Sequence, residues 1–319
     1  MSVDRIATNN QYAYLTSQML KTEATVSKYA EETANNGQIS TRYGDYGDKT
    51  MAMETARSMI ERTTAYQTAT KLASTQTKLQ DNQLSTLSDL AKELKTAISS
   101  AISDGDGSSL VTTCGDIFNS AASILNYQDA NGSYTYSGGN DSEKPFSVSS
   151  FTDLVNYSLD PSDPSHTYAF TNGSTVKSVQ VADNQTVAIG LTASDVGTSL
   201  MTTLKEIAKY LSDNGMTSFS SSLSSTDNTF LTGEITSATS AYKDINQTSA
   251  KNGIAYQRLE TASDTQTSTL TLYNGFVAGI QNKSLTTIAA ELARAQTSLQ
   301  AAVQVTSMLN DVSLLKYLD

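Results

Sequence analysis

The sequence predicts a mainly α-helical fold carrying a small β-rich insert, and three observations support this. Apolar residues recur at alternating spacings of three and four near both ends of the 319-residue chain. All three prolines, Pro145, Pro161 and Pro164, fall in one central stretch rich in Gly, Asn, Asp and Ser. Within that stretch the apolar period drops to two, as in a strand. The helical parts are expected at 1–128 and 197–319, and the insert at 129–196.

The C-terminal pattern is the clearest. Leu285, Ile288, Leu292, Ala295, Leu299, Ala302, Thr306 and Leu309 form a heptad seam with no Pro or Gly to interrupt it. A helix from 285 to 315 would run about 45 Å. At the other end Tyr12, Leu15, Met19, Val26 and Tyr29 keep the same spacing, with Thr22 in the remaining position, and predict a helix to about Asn35. The glycines of "NNGQISTRYGDYGDKT" end it. A long amphipathic helix follows, with Leu72, Leu79, Leu87, Leu90, Leu94 and Ile98 expected inward, and "SDGDGSS" stops it. Residues 110–127 predict another helix with Ile117, Ala121, Ile124 and Leu125 inward.

In the insert, Val179 and Val181 share one strand face and Val187, Ile189 and Leu191 another, with "TNGST" as the expected hairpin turn. Helix resumes in "SLMTTLKEIAKYLSDN" and again from about Gly233 to Gly279, where Ala238, Tyr242, Ile245, Tyr256 and Leu259 keep helical spacing. Long terminal helices whose apolar stripes are interrupted by Thr, Ser and Gln bury poorly by themselves. They need each other and neighbouring copies, so the termini are expected to be assembly elements.

Composition narrows the function. Hydrophobic residues make up 38% and aromatics 7%, and Trp is absent, so any core is built largely from Ala, Leu, Ile and Val. A net charge of -11 with no basic cluster argues against nucleic acid, whose phosphates are bound by clustered Lys and Arg. No run of 18 apolar residues is present, so no membrane insertion is expected. The N-terminal stretch has neither a basic head nor an apolar h-region, which points to a cytoplasmic protein or one exported without a cleaved signal peptide.

Enzyme chemistry has little to stand on, and no metal or cofactor is expected. The single histidine, His166, rules out H-E-x-x-H and His-rich metal sites. The lone Cys114 forms no internal disulfide and is expected to be a small buried apolar residue. "SDGDGSS" offers Asp104, Asp106 and Ser108 as oxygen donors, but Ser109 stands where an EF-hand needs Gly and Gly115 where it needs Glu. Asp81, Asp89 and Glu93 lie close to one helix face, where a solvated surface is the expected role.

Four stretches carry a family resemblance. The C-terminal "SLTTIAAELARAQTSLQAAVQVTSMLNDVSLLKYLD", with its closing Ser313-Leu314-Leu315, and "KNGIAYQRLE", with Gly253 and Arg258-Leu259-Glu260, are similar to the flagellin superfamily. Tyr134-Thr135-Tyr136-Ser137-Gly138, followed by Pro145-Phe146, resembles the segment that marks the hook-associated protein 3 branch, whose members join hook to filament. "VQVADNQTVAIGLTASDV" resembles the insert of that branch, with a polar turn before a Thr-Val strand. The N-terminal "STRYGDYGDK" keeps only Arg42 and Asp48 of the family's loop.

This resemblance implies long antiparallel N- and C-terminal helices forming a coiled-coil-like core, with the β domain facing outward. It implies a non-enzymatic part of the bacterial flagellum, exported by the flagellar type III system to the cell exterior. Its implied partners are further copies of itself, flagellin, the hook-side junction protein and an export chaperone. Assembly contacts would come from Leu285, Ile288, Leu292, Leu299, Leu309, Leu314, Leu315 and Leu318 with Tyr12, Leu15 and Met19. Tyr134, Tyr136, Gly138, Pro145 and Phe146 would anchor the insert. A short filament flagellin, or a secreted coiled-coil adhesin or effector, are the alternatives.

Overall fold

The computed structural model describes residues 3–40, 43–163 and 165–318, with side chains given except at 3–9, 12, 43, 45 and 309–318. Among the described residues six α-helices dominate: α1 (Val3–Ala34), α2 (Thr50–Asp104), α3 (Leu110–Leu125), α4 (Ala193–Asp213), α5 (Ser225–Gln281) and α6 (Leu285–Leu318). Four short strands lie between α3 and α4: β1 (Tyr157–Ser158), β2 (Thr167–Tyr168), β3 (Ser178–Ala182) and β4 (Gln185–Ala188). β1 and β2 pair in parallel, β3 and β4 as an antiparallel hairpin, so the chain is mainly α with a small two-sheet insert. Two compact units divide it, one of residues 1–62 with 268–319 and the other of residues 63–267.

In the first unit α1 packs along α6. The loop after α1 is tied to the start of α6 by backbone bonds, Ile39 N–H to the Gln281 carbonyl at 2.8 Å and Lys283 N–H to the Gly37 carbonyl at 2.9 Å. Gly37 has φ +95°, and a Cβ there would stand 2.6 Å from the Lys283 carbonyl oxygen, so the close approach requires glycine. Beside it Glu32, 2% exposed, faces Lys28 at 3.9 Å and Lys283 at 4.0 Å, and Lys283 also binds Glu291 at 3.1 Å. A small core of Tyr46, Met53, Ala56 and Val277 completes this unit.

The second unit holds the main core. Leu84, Leu87, Ala91, Leu94 and Ile98 of α2 are fully buried against Leu110, Cys114, Ile117, Phe118, Ala121 and Leu125 of α3, together with the inner faces of α4 and α5. Helix starts follow side-chain chemistry. Thr192 and Asp195 form a reciprocal capping box at α4, and Ser224 and Asp227 do the same at α5, where the Ser224 hydroxyl accepts from the Asp227 N–H at 3.1 Å while Asp227 accepts the Ser224 N–H at 3.0 Å.

Four expectations are corrected here. α5 begins at Ser225, eight residues before Gly233, because the Ser224-x-x-Asp227 cap sets the start. Leu72 is 73% exposed, because the inward frame of α2 is Thr70, Ala73, Thr77, Gln80, Leu84 and Leu87, a heptad stripe whose first half is polar or small. Tyr242 is likewise exposed, since the inward frame of α5 runs through Ala238, Ala241 and Ile245. "TNGST" is not the hairpin turn. The turn is Asp183-Asn184, where Asn184 adopts φ 58°, a conformation asparagine tolerates. Gly173 instead packs on the Gly138 backbone.

The hairpin closes a second small core, in which Val181, Val187 and Ile189 meet Ala73 and Leu259. Its register shifts between Gln180 and Ala182, and the Val181 carbonyl is taken by Gln266 Nε2 at 2.7 Å. The same Nε2 reaches Thr70 Oγ1 at 2.9 Å, so one side chain fastens α5 to both α2 and β3.

Candidate assembly surface

Along α6 the heptad frame faces inward: Ile288 is fully buried, Ala295 is 7% exposed, and Leu292, Leu299, Ala302 and Thr306 are half-buried. Leu285 is exposed. On α1, Leu15, Met19, Thr22, Val26 and Tyr29 are all half-buried. Apolar side chains also stand on the remaining surface of both helices, with Tyr14 and Leu20 on α1 and Val303, Val305 and Met308 on α6 at 45% exposure or more. The side chains of Tyr12, Leu309, Leu314, Leu315 and Leu318 lie outside the described ones.

The proposed anchor residues come together in the second unit. Tyr136 is fully buried, and its hydroxyl donates to Gln83 Oε1 of α2 at 2.7 Å. Burial pushes that phenol up from its ordinary pKa. Phe146 is also fully buried, its ring 6.0 Å from Phe118 and 5.1 Å from Phe170. The Asn126 amide clamps its backbone, accepting the Phe146 N–H at 2.9 Å and donating to its carbonyl at 3.0 Å. Pro145 is buried and Tyr134 half-buried.

Gly138 sits at φ +62° with a Cβ position 2.1 Å from the Gly173 carbonyl oxygen, which leaves no room for a side chain. Next to it Asp141 accepts from Ser137 Oγ at 2.9 Å and pairs with Lys177 at 2.8 Å, and the Lys177 ammonium holds its carboxyl below the usual range. The "TYSGG" stretch is therefore a rigid backbone crossing pinned to α2.

Among the described residues, Cys114 and His166 stand in unlike surroundings. Cys114 is fully buried in the core, and burial pushes its thiol up to about 12, far from a reactive thiolate. His166 lies on an exposed bend beside Asp163 at 3.4 Å. "SDGDGSS" is a turn in which Asp106 Oδ1 accepts the Ser108 N–H at 2.9 Å. Among the described residues no group of three His, Cys, Asp or Glu side chains could hold a metal, and no helix is long and apolar enough to cross a membrane.

Sequence reasoning missed the polar rungs between α2 and α5. Besides Gln266 on Thr70, Asn252 Nδ2 donates to the Thr77 carbonyl at 2.9 Å and Asn246 Nδ2 to Ser88 Oγ at 3.1 Å. Thr70, Thr77, Gln80, Asn252 and Gln266 are all buried. A heptad count that admitted Thr, Asn and Gln at inward positions would have found them.

No protein-family profile and no curated protein matches the sequence. Solved structures do match. A Vibrio parahaemolyticus protein described as a flagellar hook-associated protein superposes with a TM-score of 0.58 at 13% identity, over 73% of this chain and 97% of its own. Flagellar hook associated protein-3 from Legionella pneumophila superposes with a TM-score of 0.57 at 13% identity, over 71% of this chain and 98% of its own. Over nearly the full length of both proteins, then, this chain shares their fold.

Proposed function

We propose that the chain is a non-enzymatic structural component of the bacterial flagellum that joins hook to filament. Its fold likeness to two hook-associated structures supports the flagellar role, and the Tyr134 to Phe146 segment supports the junction reading over a filament flagellin. In this reading it leaves the cell through the flagellar type III route without a cleaved signal, held unfolded by an export chaperone. It then meets the hook-side junction protein on one side and flagellin on the other.

One observation carries the assembly mechanism: apart from Ile288 and Ala295, the apolar stripes of α1 and α6 are only half-covered. Tyr29 and Glu32, near the end of α1, sit beside Lys283 at the start of α6, with the Lys283 ammonium 5.5 Å from the centre of the Tyr29 ring. That favours an antiparallel, coiled-coil-like pair. Covering the rest of the stripes with equivalent helices of neighbouring copies would contribute roughly 1.5–3 kcal/mol for each Leu fully buried. Contacts of this kind are head-to-tail and build rings or tubes rather than closed dimers.

Two experiments test this. A chain lacking residues 310–319 should be soluble and unable to assemble; its normal incorporation into flagella would refute the mechanism. Electron microscopy of a strain deleted for the gene should show hooks without filaments, whereas intact filaments would refute the junction role. Abundance in sheared flagella separates the alternatives, since a junction protein is a minor species and a flagellin forms the bulk.

A further inference from the structure

Asp81 and Asp89 line a cleft of about 300 Å³ in the unit formed by residues 63–267. One wall is α2, with Asp81, Ser85, Asp89 and Lys92, and the other is α5, with Tyr242, Asn246 and Ser249. The floor is Leu84, fully buried, and Ser88, 7% exposed. Two hydrogen bonds fix the walls across the helix pair, Ser249 Oγ donating to Asp81 Oδ1 and Asn246 Nδ2 to Ser88 Oγ, both at 3.1 Å. Asn246 Nδ2 also donates to the Tyr242 carbonyl at 2.7 Å, which steadies the turn that carries the ring.

What remains unused is chemically mixed. Among the described residues the side chains of Ser85, Asp89 and Lys92 and the Tyr242 hydroxyl make no hydrogen bond or ion pair within the chain. The Tyr242 residue is 40% exposed and offers a flat apolar surface at the cleft edge. An anionic ligand would be repelled by the two carboxylates, and a simple cation is opposed by Lys92. A neutral polyhydroxylated ring suits this lining: its hydroxyls donate to Asp89 and accept from Lys92 and Ser85, while its apolar C–H face lies against the Tyr242 ring. The volume is at the small end for ligand sites, enough for one ring.

We propose that this cleft binds a single hexose unit of a glycan.

The test is saturation-transfer NMR on the full-length chain with methyl α-D-glucopyranoside, methyl β-D-galactopyranoside and methyl N-acetyl-β-D-glucosaminide. At least one should receive saturation at its ring protons. Tyr242→Ala and Asp89→Asn should each weaken its binding by about tenfold, the loss of one stacking or charged hydrogen-bond contact, while Leu72→Ala should leave it unchanged. Unaltered far-UV circular dichroism confirms that the variants fold, and Tyr242→Leu, which keeps the bulk without the ring, serves if the alanine variant does not. The proposal is overturned if none of the three glycosides receives saturation, if transfer persists undiminished in both cleft variants, or if tetramethylammonium chloride saturates the cleft instead.

Discussion

Glu234 of α5 is 8% exposed, and its Oε2 is buried without a hydrogen-bond partner. Burial first, and the neighbouring Glu206 carboxylate of α4 second, push its pKa up from 4.5 to about 7. The folded state therefore holds this proton more tightly than the unfolded chain does. At pH values below about 4.5 both states are protonated and Glu234 costs nothing. As pH rises toward 7 the unfolded chain loses the proton first, and stability falls; above 7 the full penalty is present. A displacement from 4.5 to about 7 is worth about 3 kcal/mol at most.

Glu234→Gln keeps the shape and removes the charge. Urea denaturation of wild type and variant should differ little at pH 4.5, while at pH 8 the variant should be more stable by about 2–3 kcal/mol. Taking the difference between the two proteins cancels the titration of every other carboxylate. Glu206→Gln should show a smaller gain of the same sign. A variant advantage that stays constant between pH 4.5 and 8, or a loss of stability at pH 8, would refute the reasoning.

Three further outcomes are expected from the second unit. Tyr136→Phe leaves the buried Gln83 Oε1 without its donor and should cost about 1–3 kcal/mol in chemical denaturation. Gln266→Leu removes the bonds to both Thr70 and the Val181 carbonyl, so hydrogen exchange should accelerate in β3 and β4 well before it does in α3. Gly138→Ala forces a Cβ onto the Gly173 carbonyl at a left-handed φ and should lower stability by about 2 kcal/mol or more, read as a fall in denaturation midpoint.

How much was legible depended on whether inward positions were apolar. Ile288, Leu292, Ala295 and Leu299 read correctly as one face of α6, and Leu87, Leu94 and Ile98 as the inner face of α2, because hydrophobicity and burial coincide there. Ahead of Leu84 they part company. Thr70 and Thr77 are buried where they bond Gln266 and Asn252 across the seam, and Gln80 is buried beside them, while Leu72 on the same helix faces out. The hairpin strands were readable from their alternating valines, but the turn was not, since "TNGST" and "ADNQ" are both good turn chemistry and only the pairing of Gln180 with Thr186 decides between them. For the candidate surface, the sequence marked the aromatics of "YTYSGG" without revealing that Gln83, 53 residues earlier, receives the Tyr136 hydroxyl.

The same three-and-four spacing thus ends in two different states. In α2 and α5 the apolar part of the stripe, from Leu84 to Ile98 and from Leu231 to Ile245, is buried almost to zero exposure because α3 and α4 lie over it. In α1 and α6 the stripe is covered from one side only, and Leu15, Met19, Leu292 and Leu299 remain half-exposed. A hydrophobic stripe left in that condition is costly in water, at about 25 cal/mol for each Å² of apolar surface. In the first case the chain contains the layer that closes the seam. In the second, the described residues of the first unit supply no comparable layer. Under the proposed function, neighbouring copies of the chain would supply that cover, through the half-buried residues of α1 and α6.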